Sequence, residues 1–106
     1  MTTSYLDNEP SPTAVAALSG ATLLEFGASW CGYCRAIQPL LAEAFDAYPE
    51  VRHLKIEDAK GRPLGRSFQI RLWPTLIFLR DGRELARLVR PTRLDEIEEA
   101  FLRLFG

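Results

Sequence analysis

The stretch between residues 22 and 56 constrains this chain more than any other. Residues 22–26 form a compact β-type run, which Gly27, Ala28 and Ser29 break. From Cys31 to about Tyr48, the apolar residues Ile37, Leu40, Leu41, Ala44, Phe45 and Tyr48 recur at three- and four-residue spacing, which predicts an amphipathic helix. Ser29 is well placed to cap it and Pro49 closes it. Pro39 should kink it, because a proline ring crowds the preceding turn and has no N–H to donate. Residues 51–56 then read as a second strand. Strand, helix and strand in direct succession imply a right-handed crossover between parallel strands.

The flanks complete the architecture. Residues 1–12 are polar and contain prolines, so they read as a loose arm with at most a short strand around 4–6. Residues 12–18 suit a short helix with Pro12 in its first turn, ended by Gly20. Residues 61–68 suit a short helix or an irregular crossover, and 75–79 a buried strand. Asp81 and Gly82 are a strong two-residue hairpin signal, because both turn positions need positive φ. Residues 84–89 return as a strand. Thr92 is positioned to cap a last helix, with Asp95 completing a capping box and Leu94, Ile97, Ala100, Phe101 and Leu104 forming the apolar stripe. The expected fold is α/β: a mixed sheet with helices on both faces, one domain over residues 1–106.

Composition narrows the function. The chain is 47% hydrophobic and 25% charged, which fits a globular domain and argues against disorder. A formal charge of −1 argues against bulk affinity for nucleic acid. Residues 1–18 lack the basic start and apolar run of a secretory signal, and apolar stretches such as 72–79 are too short for a membrane span. The expectation is a cytoplasmic protein, or a periplasmic one if a leader has been trimmed away. Nothing in the sequence demands more than a monomer.

Both cysteines lie in Trp30-Cys31-Gly32-Tyr33-Cys34, where the first strand hands over to the helix. Cysteines three apart in a first helical turn can close a tight disulfide. The first meets the unpaired N–H groups that favour a thiolate, the nucleophile in disulfide exchange. Cys34, one turn deeper, can attack the mixed disulfide on Cys31 and release the substrate. Three other readings compete: a structural disulfide, which closes too short a loop to stabilise much; a zinc site, with only His53 and scattered carboxylates to complete it; and two inert buried cysteines.

The stretch LLEFGASWCGYCRAIQPLL resembles the active-site segment of the thioredoxin superfamily, and Trp73-Pro74-Thr75 resembles its cis-proline loop. The resemblance covers nearly the whole chain. It implies the thioredoxin fold, attack by Cys31, resolution by Cys34, and a cis Pro74 whose neighbouring backbone pairs with an extended substrate. Glu25 matches the family's buried acid, which can relay the proton Cys34 must lose; the other reading is a strand-end glutamate facing solvent. Lys55 matches a lysine neighbouring that acid. Trp30, Gly32, Tyr33, Trp73, Pro74, Thr75 and Arg90 would line the substrate site. No bound cofactor or metal is implied. Protein disulfides would be the substrates, with thioredoxin reductase or a glutathione system donating electrons.

Several residues depart from the family pattern. Tyr33 stands where thioredoxins carry proline; Gly-Tyr between the cysteines is typical of periplasmic isomerases. A looser helix start should favour the reduced state and make the couple less reducing than ordinary thioredoxins, each 30 mV corresponding to about 1.4 kcal/mol. Gly27 stands where thioredoxins usually have tryptophan, and Trp73 where they have a small β-branched residue, so one indole has in effect crossed the groove. Arg90 replaces a groove-lining glycine. Residues 62–93 carry eight arginines against Asp81 and Glu84, a net of +6, while residues 1–50 carry a net of −5. Arg35, Arg71 and Arg90 are expected at the groove rim, attracting acidic partners. His53 reads as an exposed strand side chain without a role. The sequence thus points to a thiol–disulfide oxidoreductase. An isomerase or oxidant is a close variant, and a binding adaptor with incidental redox activity is the rival.

Overall fold

The computed structural model describes residues 1–59 and 62–106. The elements run α1 (Pro12–Ala16), β1 (Ala21–Gly27), α2 (Gly32–Ala36), α3 (Gln38–Phe45), β2 (Arg52–Glu57), α4 (Pro63–Ser67), β3 (Thr75–Arg80), β4 (Arg83–Val89) and α5 (Leu94–Arg103). Gly61, at the start of the expected crossover segment, lies outside the described residues.

The sheet order is β2-β1-β3-β4, with β1 and β2 parallel and the other neighbours antiparallel. β1 is central and buried along nearly its whole length. Its alternation divides the core. Leu23 faces the side covered by α3 and α5, with Leu41, Phe45, Leu76, Phe78, Ile97 and Phe101. Leu24 and Phe26 face the side covered by α1 and α4, with Val15, Ile56, Leu64, Ile77 and Leu79. Phe101 is fully buried against Phe45, Phe78 and Tyr48; truncating such a phenylalanine costs about 3–5 kcal/mol. The mixed sheet with helices on both faces is as expected. The hairpin also holds, with φ of 52° at Asp81 and 78° at Gly82.

Three local expectations need correction. The helix expected over residues 31–48 is two helices broken at Ile37, because Pro39 cannot donate to the carbonyl four residues back and instead begins α3 in its first turn. The cap of α2 is Cys31, not Ser29: the Cys34 N–H donates to Cys31 Sγ at 3.2 Å, while the Ser29 carbonyl accepts from Arg35 Nη1. Helix α5 has Arg93 at its cap with no capping side chain, rather than the Thr92–Asp95 box. Starting one residue later moves Asp95 to the second helical position, where it accepts the Glu96 N–H and pairs with Arg93.

The arm makes no regular strand. Its Leu6 N–H nevertheless donates to the Lys55 carbonyl at 2.9 Å along the outer edge of β2, which brings residues 1–6 to the site described next.

Candidate active site

Strand β1 ends at Gly27, and the chain turns through Ala28–Trp30 into α2. This turn places Cys31 and Cys34 at the end of the sheet, both as free thiols. Cys31 is 7% exposed and Cys34 1%, so the pair has an outer and an inner member. Helix α2 has five residues, so what Cys31 meets is the local N–H of the first turn and not a long helix dipole. Burial, together with a hydrogen bond to Cys31, pushes the Cys34 thiol up to about 12.

Around the outer sulfur, Trp30 is 69% and Tyr33 59% exposed, and Gly32 is exposed with open space where a Cβ would stand. The Trp73–Pro74 peptide is cis, as the resemblance implied. Trp73 packs on Ala28, Cys31 and Cys34 and meets Trp30 edge to face at 5.4 Å. Its Nε1 donates to Asp58 Oδ2 at 2.8 Å, so the indole fills a specific polar position and is more than core packing. Thr75 is buried and ties the loop by donating its hydroxyl to the Leu72 carbonyl at 2.6 Å.

Arg90 closes the other wall. Its φ of 51° is the left-handed conformation that suits the glycine expected there. Its Nε donates to the Trp73 carbonyl at 2.7 Å, and its guanidinium lies 4.2 Å from the Tyr33 ring centre. A small cavity of about 170 Å³ sits beneath, lined by Tyr33, Ile37, Leu40, Pro74 and Arg90. Arg71 borders a second hollow beside Trp73 and Asp58. All the expected site residues therefore gather at one end of the sheet.

Glu25 is 0% exposed, which removes the solvent-facing alternative. Its Oε2 accepts from Gln38 Nε2 at 2.8 Å and lies 3.9 Å from Lys55 Nζ. Gln38 Nε2 also donates to the Cys34 carbonyl at 2.9 Å, while its Oε1 accepts from Lys55 at 3.2 Å. His53 is not an exposed strand residue. Its side chain is 2% exposed, and its Nε2 lies 2.8 Å from Glu25 Oε1. The parallel register explains this: Leu23 faces His53 and Glu25 faces Lys55, so these side chains share the face covered by α3.

Gln38, Tyr5 and Asp58 carry no motif and were not singled out in the sequence. A Cβ on Gly27 would stand 2.6 Å from Cys34 Sγ and 3.2 Å from the Tyr5 hydroxyl. The arm's Tyr5 therefore reaches the space beside the inner thiol. Burial raises the Tyr5 phenol above its usual range, reinforced by the neighbouring Cys34 and Glu25. A cavity of about 720 Å³ is lined by this arm together with Cys34, Gln38 and Lys55, and Lys55 Nζ lies 4.6 Å from the Tyr5 ring centre. Among the described residues, no group of three His, Cys, Asp or Glu could hold a metal ion, and no helix is long and apolar enough to cross a membrane.

The Thioredoxin family model matches residues 3–103. Thioredoxin 2 from Pseudomonas aeruginosa PAO1, solved in its reduced form, superposes with a TM-score of 0.89 at 58% identity, over 100% of this chain and 98% of its own. Thioredoxin Asp f 28 from Aspergillus fumigatus is 35% identical over 76% of this chain and 75% of its own length. Thioredoxin H-type 1 from Nicotiana tabacum is 31% identical over 76% of this chain and 64% of its own. Because the likeness runs from the arm to the last turn of α5 and is not confined to the cysteine motif, the chain belongs to the thioredoxin family, and with its Cys31/Cys34 pair it is a thiol–disulfide oxidoreductase.

Proposed function

We propose that the protein reduces protein disulfides through a two-step exchange at Cys31 and Cys34. Cys31 attacks the substrate disulfide and forms a mixed disulfide. Cys34 then attacks Cys31 Sγ, closes the Cys31–Cys34 disulfide and expels the substrate thiolate. The Cys34 proton passes to Glu25. Trp30, Gly32, Tyr33, Trp73, Pro74, Thr75 and Arg90 form the seat for an extended substrate segment. The dithiol carries the two electrons itself, so no bound cofactor takes part. A flavoprotein thioredoxin reductase or a glutathione system, acting on a monomer in the cytoplasm, restores the dithiol.

The observation that carries this reading is the difference between the two thiols. Cys31 lies beside the exposed Trp30 and Tyr33 and accepts an N–H, while Cys34 is enclosed and pushed up to about 12. An inner thiol held protonated needs a base, and Glu25 sits one glutamine away, bridged by Gln38.

Insulin reduction with dithiothreitol as electron source tests the proposal. Wild type should turn over and Cys31→Ser should not. Cys34→Ser should accumulate a mixed disulfide with insulin. Turnover by Cys31→Ser at the wild-type rate would refute the assignment.

A further inference from the structure

His53 is a buried titratable group that the exchange chemistry above does not use. Its two ring nitrogens have different partners. The Thr2 backbone N–H points at Nδ1 at 3.1 Å. A backbone N–H only donates, so Nδ1 carries a lone pair and the ring is neutral, with its proton on Nε2. That Nε2–H faces Glu25 Oε1 at 2.8 Å. The ring is further fixed against Phe45, centre to centre 4.9 Å. Glu25 is thus held at both oxygens, by His53 on one and Gln38 on the other. A continuous chain of hydrogen bonds runs from the arm at Thr2 through His53, Glu25 and Gln38 to the Cys34 carbonyl.

We infer that His53 is a positioning residue for the resolving half-reaction, holding the Glu25 carboxylate through Nε2–H while the docked arm fixes the tautomer that can do so. The inference rests on the reading of Glu25 as the base for Cys34. In that step the Cys34 S–H bond breaks and its proton goes to Glu25. A bond forms between Cys34 Sγ and Cys31 Sγ, and the bond between Cys31 Sγ and the substrate sulfur breaks, its electron pair leaving on the substrate thiolate. His53 exchanges no proton. It keeps Oε1 engaged so that the carboxylate cannot rotate away from the Cys34 side, and a displacement of this kind costs about 10- to 100-fold in rate.

The test separates the two chemical steps. Reduced protein is mixed with a labelled peptide disulfide in a stopped-flow and acid-quench experiment, which follows formation of the Cys31 mixed disulfide and its decay. His53→Phe keeps a ring against Phe45 but offers neither donor nor acceptor. It should leave formation unchanged and slow decay about 10- to 100-fold. His53→Gln carries an NH2 group and one oxygen, which can replace the donated and the accepted bond, and should restore decay to within about threefold of wild type. Equal decay in wild type and His53→Phe, equal slowing of both steps, or failure of His53→Gln to restore decay would each overturn the inference. Glu25→Ala serves as reference: normal decay there overturns the Glu25 reading as well, whereas slow decay in Glu25→Ala with normal decay in His53→Phe overturns only the role of His53. Imidazole 15N shifts of the wild-type protein at neutral pH give a check that needs no variant. The neutral Nε2–H tautomer is expected, and an Nδ1–H tautomer or an imidazolium would overturn the inference.

Discussion

Replacing Glu25 with glutamine keeps the shape of the buried acid and removes its ability to take a proton. The magnitude follows from Cys34. With that thiol pushed up to about 12, roughly one molecule in 10⁵ carries the Cys34 thiolate at pH 7, since each pH unit below the pKa reduces it tenfold. Without an internal base, resolution must draw on that minor population. General-base assistance contributes about 10²–10⁴, so Glu25→Gln should slow mixed-disulfide decay by about 10²–10³ at pH 7. The sign of the pH response is fixed. Each unit upward multiplies the thiolate about tenfold, so the defect should narrow steadily from pH 7 to pH 10. The fold itself should weaken too. The one remaining oxygen can still accept from Gln38 Nε2, but the amide then turns its NH2 toward the Nε2–H of His53; a donor left unpaired there costs about 1–3 kcal/mol. Quenched-flow trapping of the mixed disulfide across pH, with thermal unfolding of the same sample, measures both effects. A resolution rate within threefold of wild type at pH 7, or a deficit that does not narrow with alkali, would refute the reasoning.

Three further outcomes are expected. Iodoacetamide should modify native reduced protein at Cys31 alone between pH 7 and 10 and reach Cys34 only on denaturation; because folding raises the Cys34 thiol above its unfolded value of about 8.5, the stability it contributes is complete below that pH and declines as pH climbs toward about 12, which melting curves of wild type and Cys34→Ser would reveal. Arg90 has a φ of 51°, so Arg90→Gly should melt higher than Arg90→Ala by an amount equivalent to about 1 kcal/mol, while both should lose preference for a glutamate-flanked over a lysine-flanked peptide disulfide in kcat/KM. A Cβ on Gly65 would stand 2.0 Å from Asp58 Oδ1, so Gly65→Ala should cost about 1–3 kcal/mol in chemical denaturation and, by displacing the acceptor of Trp73 Nε1, alter tryptophan emission; an unchanged spectrum would show that the indole does not depend on Asp58.

Much of this was legible in the sequence because periodicity and punctuation agreed. The apolar run of β1, the 31–48 stripe and the Asp81–Gly82 turn each stated one element, and together they fixed the sheet. The cysteine pair and Trp73-Pro74 located the active end. Where a residue's meaning depended on register, the sequence was harder to read. His53 looks like a lone strand histidine until β2 pairs with β1 in parallel. The alternation of His53 and Lys55 then puts both beside Glu25. That alternation was visible in the chain and is the signal that could have found it. Gln38 and Tyr5 offered no such pattern. Gln38 gains its role from the α2–α3 break, and Tyr5 from an arm that lies along β2 without forming a strand. The caps misled for a simple reason: a sulfur at Cys31 took the position that a hydroxyl at Ser29 was expected to fill.

The docked arm has a practical consequence for anyone producing the protein. Thr2 is bonded to His53 and Tyr5 stands against the inner thiol, so a purification handle fused ahead of residue 1 begins two positions from the redox centre's support. Gly106, by contrast, is exposed just beyond α5, its N–H donating to the Leu102 carbonyl. A handle placed there leaves the arm's amides to their native partners, and redox measurements made with one placement should not be pooled with those made with the other.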